Sequence, residues 1–184
     1  MKAKSKVENI FCRIDFKQSL DIDERRAQRG GFEEGKNLPA YIYTHPKHNI
    51  KMMIFSSGEV FLNGAKNPGE IESAFWELKR KLKEMGNRIT LSADTEIEIE
   101  NVLATANIRD YFPSINIDMN RISEKENAAY DPEKCPAVFL SYKLAKTKGT
   151  AMVFRSGKVL IGDVKSHEDA NLILEKVIET VRSP

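Results

Sequence analysis

The chain has 184 residues, 41% hydrophobic and 30% charged. That is enough apolar material to bury a core, which excludes wholesale disorder, and enough length for one domain or two small fused ones. No apolar run approaches the roughly 18 residues of a membrane span, and the opening MKAKSKVENIF lacks the apolar stretch of a signal peptide. Two cysteines, Cys12 and Cys135, with no CxxC pair, build neither a disulfide framework nor a zinc site, and they suit a reducing compartment. The net charge of +2 is unevenly spread: residues 1–92 sum to +5 and residues 93–184 to −3.

In chain order, the first strand alternates. Ile10, Cys12, Ile14 and Phe16 share one face and Asn9, Phe11 and Arg13 the other. Asp21 is placed to cap a short helix running to about Arg29. LPAYIYT (38–44), IKMMIF (50–55) and EVFLNG (59–64) read as three strands joined by turns at His45–Asn49 and Ser56–Gly58. A long helix follows. Asn67 is its N-cap, Pro68 its first residue, and Glu70 suits its positive end. Ile71, Phe75, Leu78 and Leu82 form its apolar stripe, and Gly86 its left-handed stop.

The chain then repeats itself. VENIFC (7–12) returns as IENVLA (99–104), LPAYIYT as CPAVFLS (135–141), MIFSSGE (53–59) as MVFRSGK (152–158), and NGAKNPGEIE (63–72) as GDVKSHEDAN (162–171). The second long helix starts at Ser166 and carries Ala170, Leu174, Val177 and Val181. Two copies, 1–92 and 93–184, are expected, each an antiparallel sheet with helices on one side. The other side stays open, and a broad uncovered apolar face marks a binding surface. On it the reading places Asn9, Phe11, Leu38, Ala40, Ile42, Phe55, Phe61 and Asn63, then Asn101, Leu103, Cys135, Ala137, Phe139, Phe154 and Leu160. Tyr41 and Tyr43 point toward the helices. His45, His48 and His167 read as solvated side chains, and with no Walker loop, HExxH or GxSxG a catalytic role is not expected.

These paired blocks, with YDPEKCPA at 130–137, resemble the TATA-box-binding protein family over about residues 6–182. The resemblance implies an α+β fold: a duplicated saddle whose curved ten-stranded antiparallel sheet lies under four helices on the convex side. It implies an intracellular transcription initiation factor, of archaeal cytoplasm or eukaryotic nucleus, with no cofactor or metal. Its partners are A·T-rich duplex DNA, bent through the minor groove by apolar wedges, and a B-type transcription factor with the RNA polymerase machinery.

Position by position, the central base-reading asparagines fall on Asn9 and Asn101, and the wedges on Phe55 with Leu38 and on Phe154 with Cys135. Groove-floor valines fall on Phe11, Phe61, Leu103 and Leu160, and paired threonines on Asn63 and Gly162. Ser57 and Ser156 of the Ser-Gly turns fall among the DNA-binding positions, and the family's phosphate-contacting lysines after each turn fall on Glu59 and Lys158. Family arginines fall on Thr44 and Ser141, and Asp163 replaces a glycine. Tyr130, Asp131 and Glu133 keep the acidic loop that the family offers to a B-type factor, with Lys134 a departure. The same departures admit an alternative, a diverged paralogue with weak TATA binding acting as a protein-interaction module. Weak self-association through the open face is expected when no DNA covers it.

Overall fold

A computed structural model describes residues 3–89 and 95–183. The boundary expected between 92 and 93 lies outside the described residues. Among the described residues ten strands, identified by their first residues, run side by side in the order Glu33, Ala40, Lys51, Glu59, Lys6, Glu96, Lys158, Lys148, Ala137 and Ala128, with four α-helices. The α+β fold class, with one ten-stranded antiparallel sheet and four helices, is the one the resemblance implies. The chain groups into two compact units, Asn9–Glu100 and Met1–Glu8 with Asn101–Pro184. Among the described residues no helix is long and apolar enough to cross a membrane.

The Asn9–Glu100 unit holds most of β1 (Lys6–Asp15), then α1 (Glu24–Gly30), β2 (Glu33–Glu34), β3 (Ala40–Thr44), β4 (Lys51–Phe55), β5 (Glu59–Ala65) and α2 (Pro68–Glu84). Antiparallel pairing runs β2–β3–β4–β5–β1. Alternation puts Ile10, Cys12 and Ile14 inside, with Phe16 just beyond the strand, and Phe16 stacks on Phe75 of α2 at 5.8 Å. The α2 stripe of Ile71, Phe75, Leu78 and Leu82 is buried, as its spacing predicts. Asn67 accepts from the Glu70 amide at the helix start. At the end, Gly86 takes φ +98°, and the amides of Gly86 and Asn87 close back on the carbonyls of Lys83 and Leu82. Burial pushes the Cys12 thiol up to about 11, so it packs as a small hydrophobe.

Two local expectations are corrected. The short helix starts at Glu24, and its cap is Asp23, whose carboxylate accepts from the Arg26 amide. Asp21 cannot serve because Asn87 holds its backbone at both N–H and C=O. His45 is not solvated: it is 5% exposed, stacked on His48 at 5.1 Å, and its Nδ1 accepts from the His48 amide. The turn folds back on itself there, which the run of polar residues hid.

That burial makes stability pH-dependent. Desolvation first, then the neighbouring charges of His48 and Lys47, against the pull of Glu77, hold His45 below its ordinary 6.5. A lowered histidine value means that the unfolded chain binds the proton more readily. The contribution is complete above the ordinary value and is lost as pH falls from there toward the folded value. Chemical denaturation between about pH 7.5 and 5.5 should show the native chain losing more stability than His45→Gln. Parallel losses would refute this account of His45.

The other unit holds most of β6 (Glu96–Asn107), a 3-10 turn (Ile108–Asp110), α3 (Met119–Ser123), β7 (Ala128–Ala129), β8 (Ala137–Lys143), β9 (Lys148–Phe154), β10 (Lys158–Val164) and α4 (His167–Arg182). Pairing runs β7–β8–β9–β10–β6, antiparallel throughout. Ser166 caps α4 by accepting from the Asp169 amide, and Ala170, Leu174, Val177 and Val181 are buried with Ile173 and Ile178. Gly149 lets this helix approach β9, since a Cβ there would lie 2.9 Å from Ile173. Residues 4–6 belong to this unit. The Tyr111 hydroxyl donates to the Lys4 carbonyl at 2.6 Å, and Asn171 accepts from both the amide and hydroxyl of Ser5.

Candidate nucleic-acid interface

In the Asn9–Glu100 unit the face opposite α2 carries Asn9, Phe11, Leu38, Phe55, Phe61 and Asn63, none of them buried. Ala40 lies on the same side but is only 4% exposed, because its methyl sits beside its cross-strand partner Phe55. Three rings form a cluster. Phe11 and Phe61 stack almost parallel at 5.8 Å, and Phe55 meets Phe61 edge-on at 5.9 Å. Packed on one another, the three rings restrain each other's rotation. Leu38, in the short loop before β3, is 51% exposed.

The polar centre of this face is oriented by one backbone group. A bulge at Ile10/Phe11 lets Asn9 reach across to β5. The Gly64 N–H can only donate, so Asn9 Oδ1 faces it, at 2.7 Å. The Asn9 amide nitrogen must then point to Asn63, and it donates to Asn63 Oδ1 at 2.7 Å. Asn63 has spent its acceptor inward, and its side chain turns two N–H donors outward. Asn63 is exposed, so those donors face solvent.

Beside the rings lies a charged group that sequence reasoning missed. Arg13 is ringed by Glu59 (3.4 Å), Glu98 (3.3 Å) and Glu100 (3.6 Å). The Glu98 hydrogen bond leads in holding the guanidinium value above its ordinary level. Next to it Lys17 bridges Asp15 and Glu96. The alternation Glu96-Ile97-Glu98-Ile99-Glu100 was the available signal, because period two puts its carboxylates on one side of a strand.

In the other unit the corresponding face carries Asn101, Leu103, Cys135, Phe154 and Leu160, with Ser156 and Lys158 exposed at the turn. Ala137 is fully buried opposite its strand partner Phe154. Leu103 is 37% exposed. Asn101 Oδ1 accepts from the Asp163 N–H at 2.9 Å, which repeats the Asn9 arrangement. Asp163 reaches that position with φ +59°, a conformation aspartate tolerates better than most residues. Gly162 stands where the first copy has Asn63, so among the described residues no side chain continues the relay from Asn101. No ring pair among the described residues involves Phe154.

The loop 130–136 exposes Asp131 and Glu133, with Tyr130 half-buried. Asp131 pairs with Lys134 at 2.8 Å and its carboxylate accepts from the Glu133 amide, which fixes the turn. Among the described residues no group of three or more His, Cys, Asp or Glu is placed to hold a metal ion.

Comparison with known proteins gives one answer from three directions. The chain matches the family described as Transcription factor TFIID (or TATA-binding protein, TBP) over residues 4–85 and 96–183. It is 30% identical to the TATA-box-binding protein of Methanocaldococcus jannaschii over 184 residues, covering 99% of this chain and 96% of that one. It is 26% identical to that of Archaeoglobus fulgidus, covering 98% and 96%. The solved structure of Methanococcus jannaschii TBP superposes with a TM-score of 0.81 at 28% identity, covering 98% of this chain and 99% of that one. With both repeats matched and the fold shared along its length, the chain belongs to the TATA-binding protein family, whose members are transcription factors and not enzymes.

Proposed function

We propose that this chain binds A·T-rich duplex DNA through the minor groove, bends it, and recruits a B-type transcription factor with the polymerase machinery inside the cell. The observation that carries the proposal is the repeated device on the open faces. In each, a central asparagine is locked by a backbone N–H, amid large apolar side chains left uncovered. A·T and T·A pairs present only acceptors in the minor groove, and G·C adds the donor of the guanine amino group. A face with few polar groups, whose free polar atoms are N–H donors, suits A·T and is repelled by that amino group. Uncovered Phe55, Phe154 and Leu38 supply wedges for a deformable step. The exposed carboxylates of Asp131 and Glu133 offer a basic surface of the B-type factor its counter-charge.

The test is a fluorescence titration at low salt against A·T-rich and G·C-rich duplexes, with and without a B-type factor. Binding that favours A·T, weakens with salt and strengthens with the factor supports the reading. Equal or absent binding to both duplexes overturns it and leaves a protein-interaction module. The wedge assignment has its own check. Leu38→Phe combined with Cys135→Phe adds a ring to each face, and should increase the bend of a TATA duplex labelled with two dyes. An unchanged bend counts against Leu38 and Cys135 as wedge positions.

A further inference from the structure

The two copies set different groups beside their central asparagines. In each, one strand carries an extra residue against its neighbour, Gly64 in the first copy and Asp163 in the second. The bulge fixes where Asp163 points. Ile161 pairs with Ala104 and Val164 with Val102, and all four are buried. Gly162 and Asp163 fill the stretch between two inward-facing residues, opposite Leu103 alone. Leu103 is on the open face, so the bulge projects there as well.

The chemistry of the two bulges is exchanged. In the first copy the extra residue has no side chain, and Asn63 before it turns N–H donors outward. In the second the extra residue brings a carboxylate. Asp163 is exposed, and among the described residues its carboxylate has no ion-pair or hydrogen-bond partner. Gly162 before it leaves room, since a Cβ built there meets nothing within 4 Å. Asn101 Oδ1 accepts from the Asp163 N–H, so the nitrogen end of that amide carries its donors away from β10. Around its central asparagine the first copy offers donors only, and the second offers a donor beside an acceptor.

Minor-groove edges give that arrangement its ligand. A·T pairs present acceptors in either direction, and G·C adds one donor, the guanine amino group, beside the acceptors. A carboxylate pressed on A·T loses water and gains no hydrogen bond. Against the amino group it accepts a charge-assisted one. We propose that Asp163 reads the amino group of one G·C pair in the part of the site covered by the second copy. Asn101 donates to the acceptor beside that group, and the space at Gly162 admits it. The inference rests on the minor-groove reading above and narrows it, because Asp163 is the exception to the donor chemistry that favours A·T. This chain selects an A·T run that carries one G·C pair over a uniform A·T run, and Asn63 excludes the same pair from the first copy.

The experiment is a substitution scan of a TATA duplex, with affinity for the full chain read by anisotropy at one low salt concentration. Each A·T pair is replaced singly by G·C, by inosine·C, which lacks the amino group, and by diaminopurine·T, which adds it to an A·T pair. At one position or more, G·C and diaminopurine·T should each bind about tenfold more tightly than the parent duplex, and inosine·C should not. Asp163→Gly should abolish the gain, and it folds because glycine takes a positive φ without strain. Gly162→Asn rebuilds the first copy's outward donors and should turn the gain into a loss. A gain that survives Asp163→Gly, or an amino group that weakens binding at every position, overturns the inference and leaves the minor-groove reading standing. No binding to the parent or to any substituted duplex overturns both.

Discussion

Asn9→Ala should lower affinity for a TATA duplex by about ten- to a hundredfold, the range of one well-placed pair of base contacts, if the chain binds DNA as proposed. The size follows from what the side chain holds. Its oxygen satisfies the Gly64 N–H, and its nitrogen fixes Asn63 with both donors outward. With alanine there, Gly64 loses its acceptor and Asn63 is free to turn its own oxygen toward the bases. The selectivity changes as well as the strength. Replacing one A·T pair in the segment facing the first copy by G·C should cost the native chain affinity. Inosine·C, which lacks the amino group, should restore most of it. In Asn9→Ala both differences should shrink. An Asn9→Ala chain that discriminates G·C from inosine·C as sharply as the native one would refute the relay.

Glu59→Lys should have the opposite effect and raise affinity by about tenfold at low salt, with one more phosphate neutralised and a slope against log salt steeper by about 0.9. Glu59 follows the first Ser-Gly turn, where the second copy has Lys158. The substitution is tolerable because Arg13 keeps Glu98 and Glu100 as partners, and an exposed pair adds little to stability. Lys158→Glu is the mirror experiment and should weaken binding and flatten the slope. Measured anisotropy at several salt concentrations decides it, and slopes that do not respond to either change would remove both residues from the phosphate contacts.

The long helices were legible because their signals are local. Asn67, Pro68 and Glu70 cap one end of α2, Gly86 stops the other, and the stripe between them has helical period. The same holds for the alternation of β1 and the paired Ser-Gly turns. What escaped depends on partners distant in sequence. Glu33–Glu34 and Ala128–Ala129 are strands only because β3 and β8 pair with them. The cap at Asp23 was displaced from Asp21 by Asn87, 66 residues away. His45 is buried by a turn whose residues each prefer water. On the open faces, the positions were readable but their chemistry was not. The family resemblance pairs Asn63 with Asn9, yet only the Gly64 N–H decides which end of each amide points out.

The enclosure of Arg13 separates two quantities that an isoelectric point merges. The chain's pI of about 8.4 counts every cation equally. Arg13 already has three carboxylates for company, while Arg26 and Lys81 spend their protons on the carbonyl ends of helices. Migration in an electric field will report the whole tally. Counterions shed on docking to a polyanion will number fewer than that tally suggests, because much of the positive charge is already committed at home.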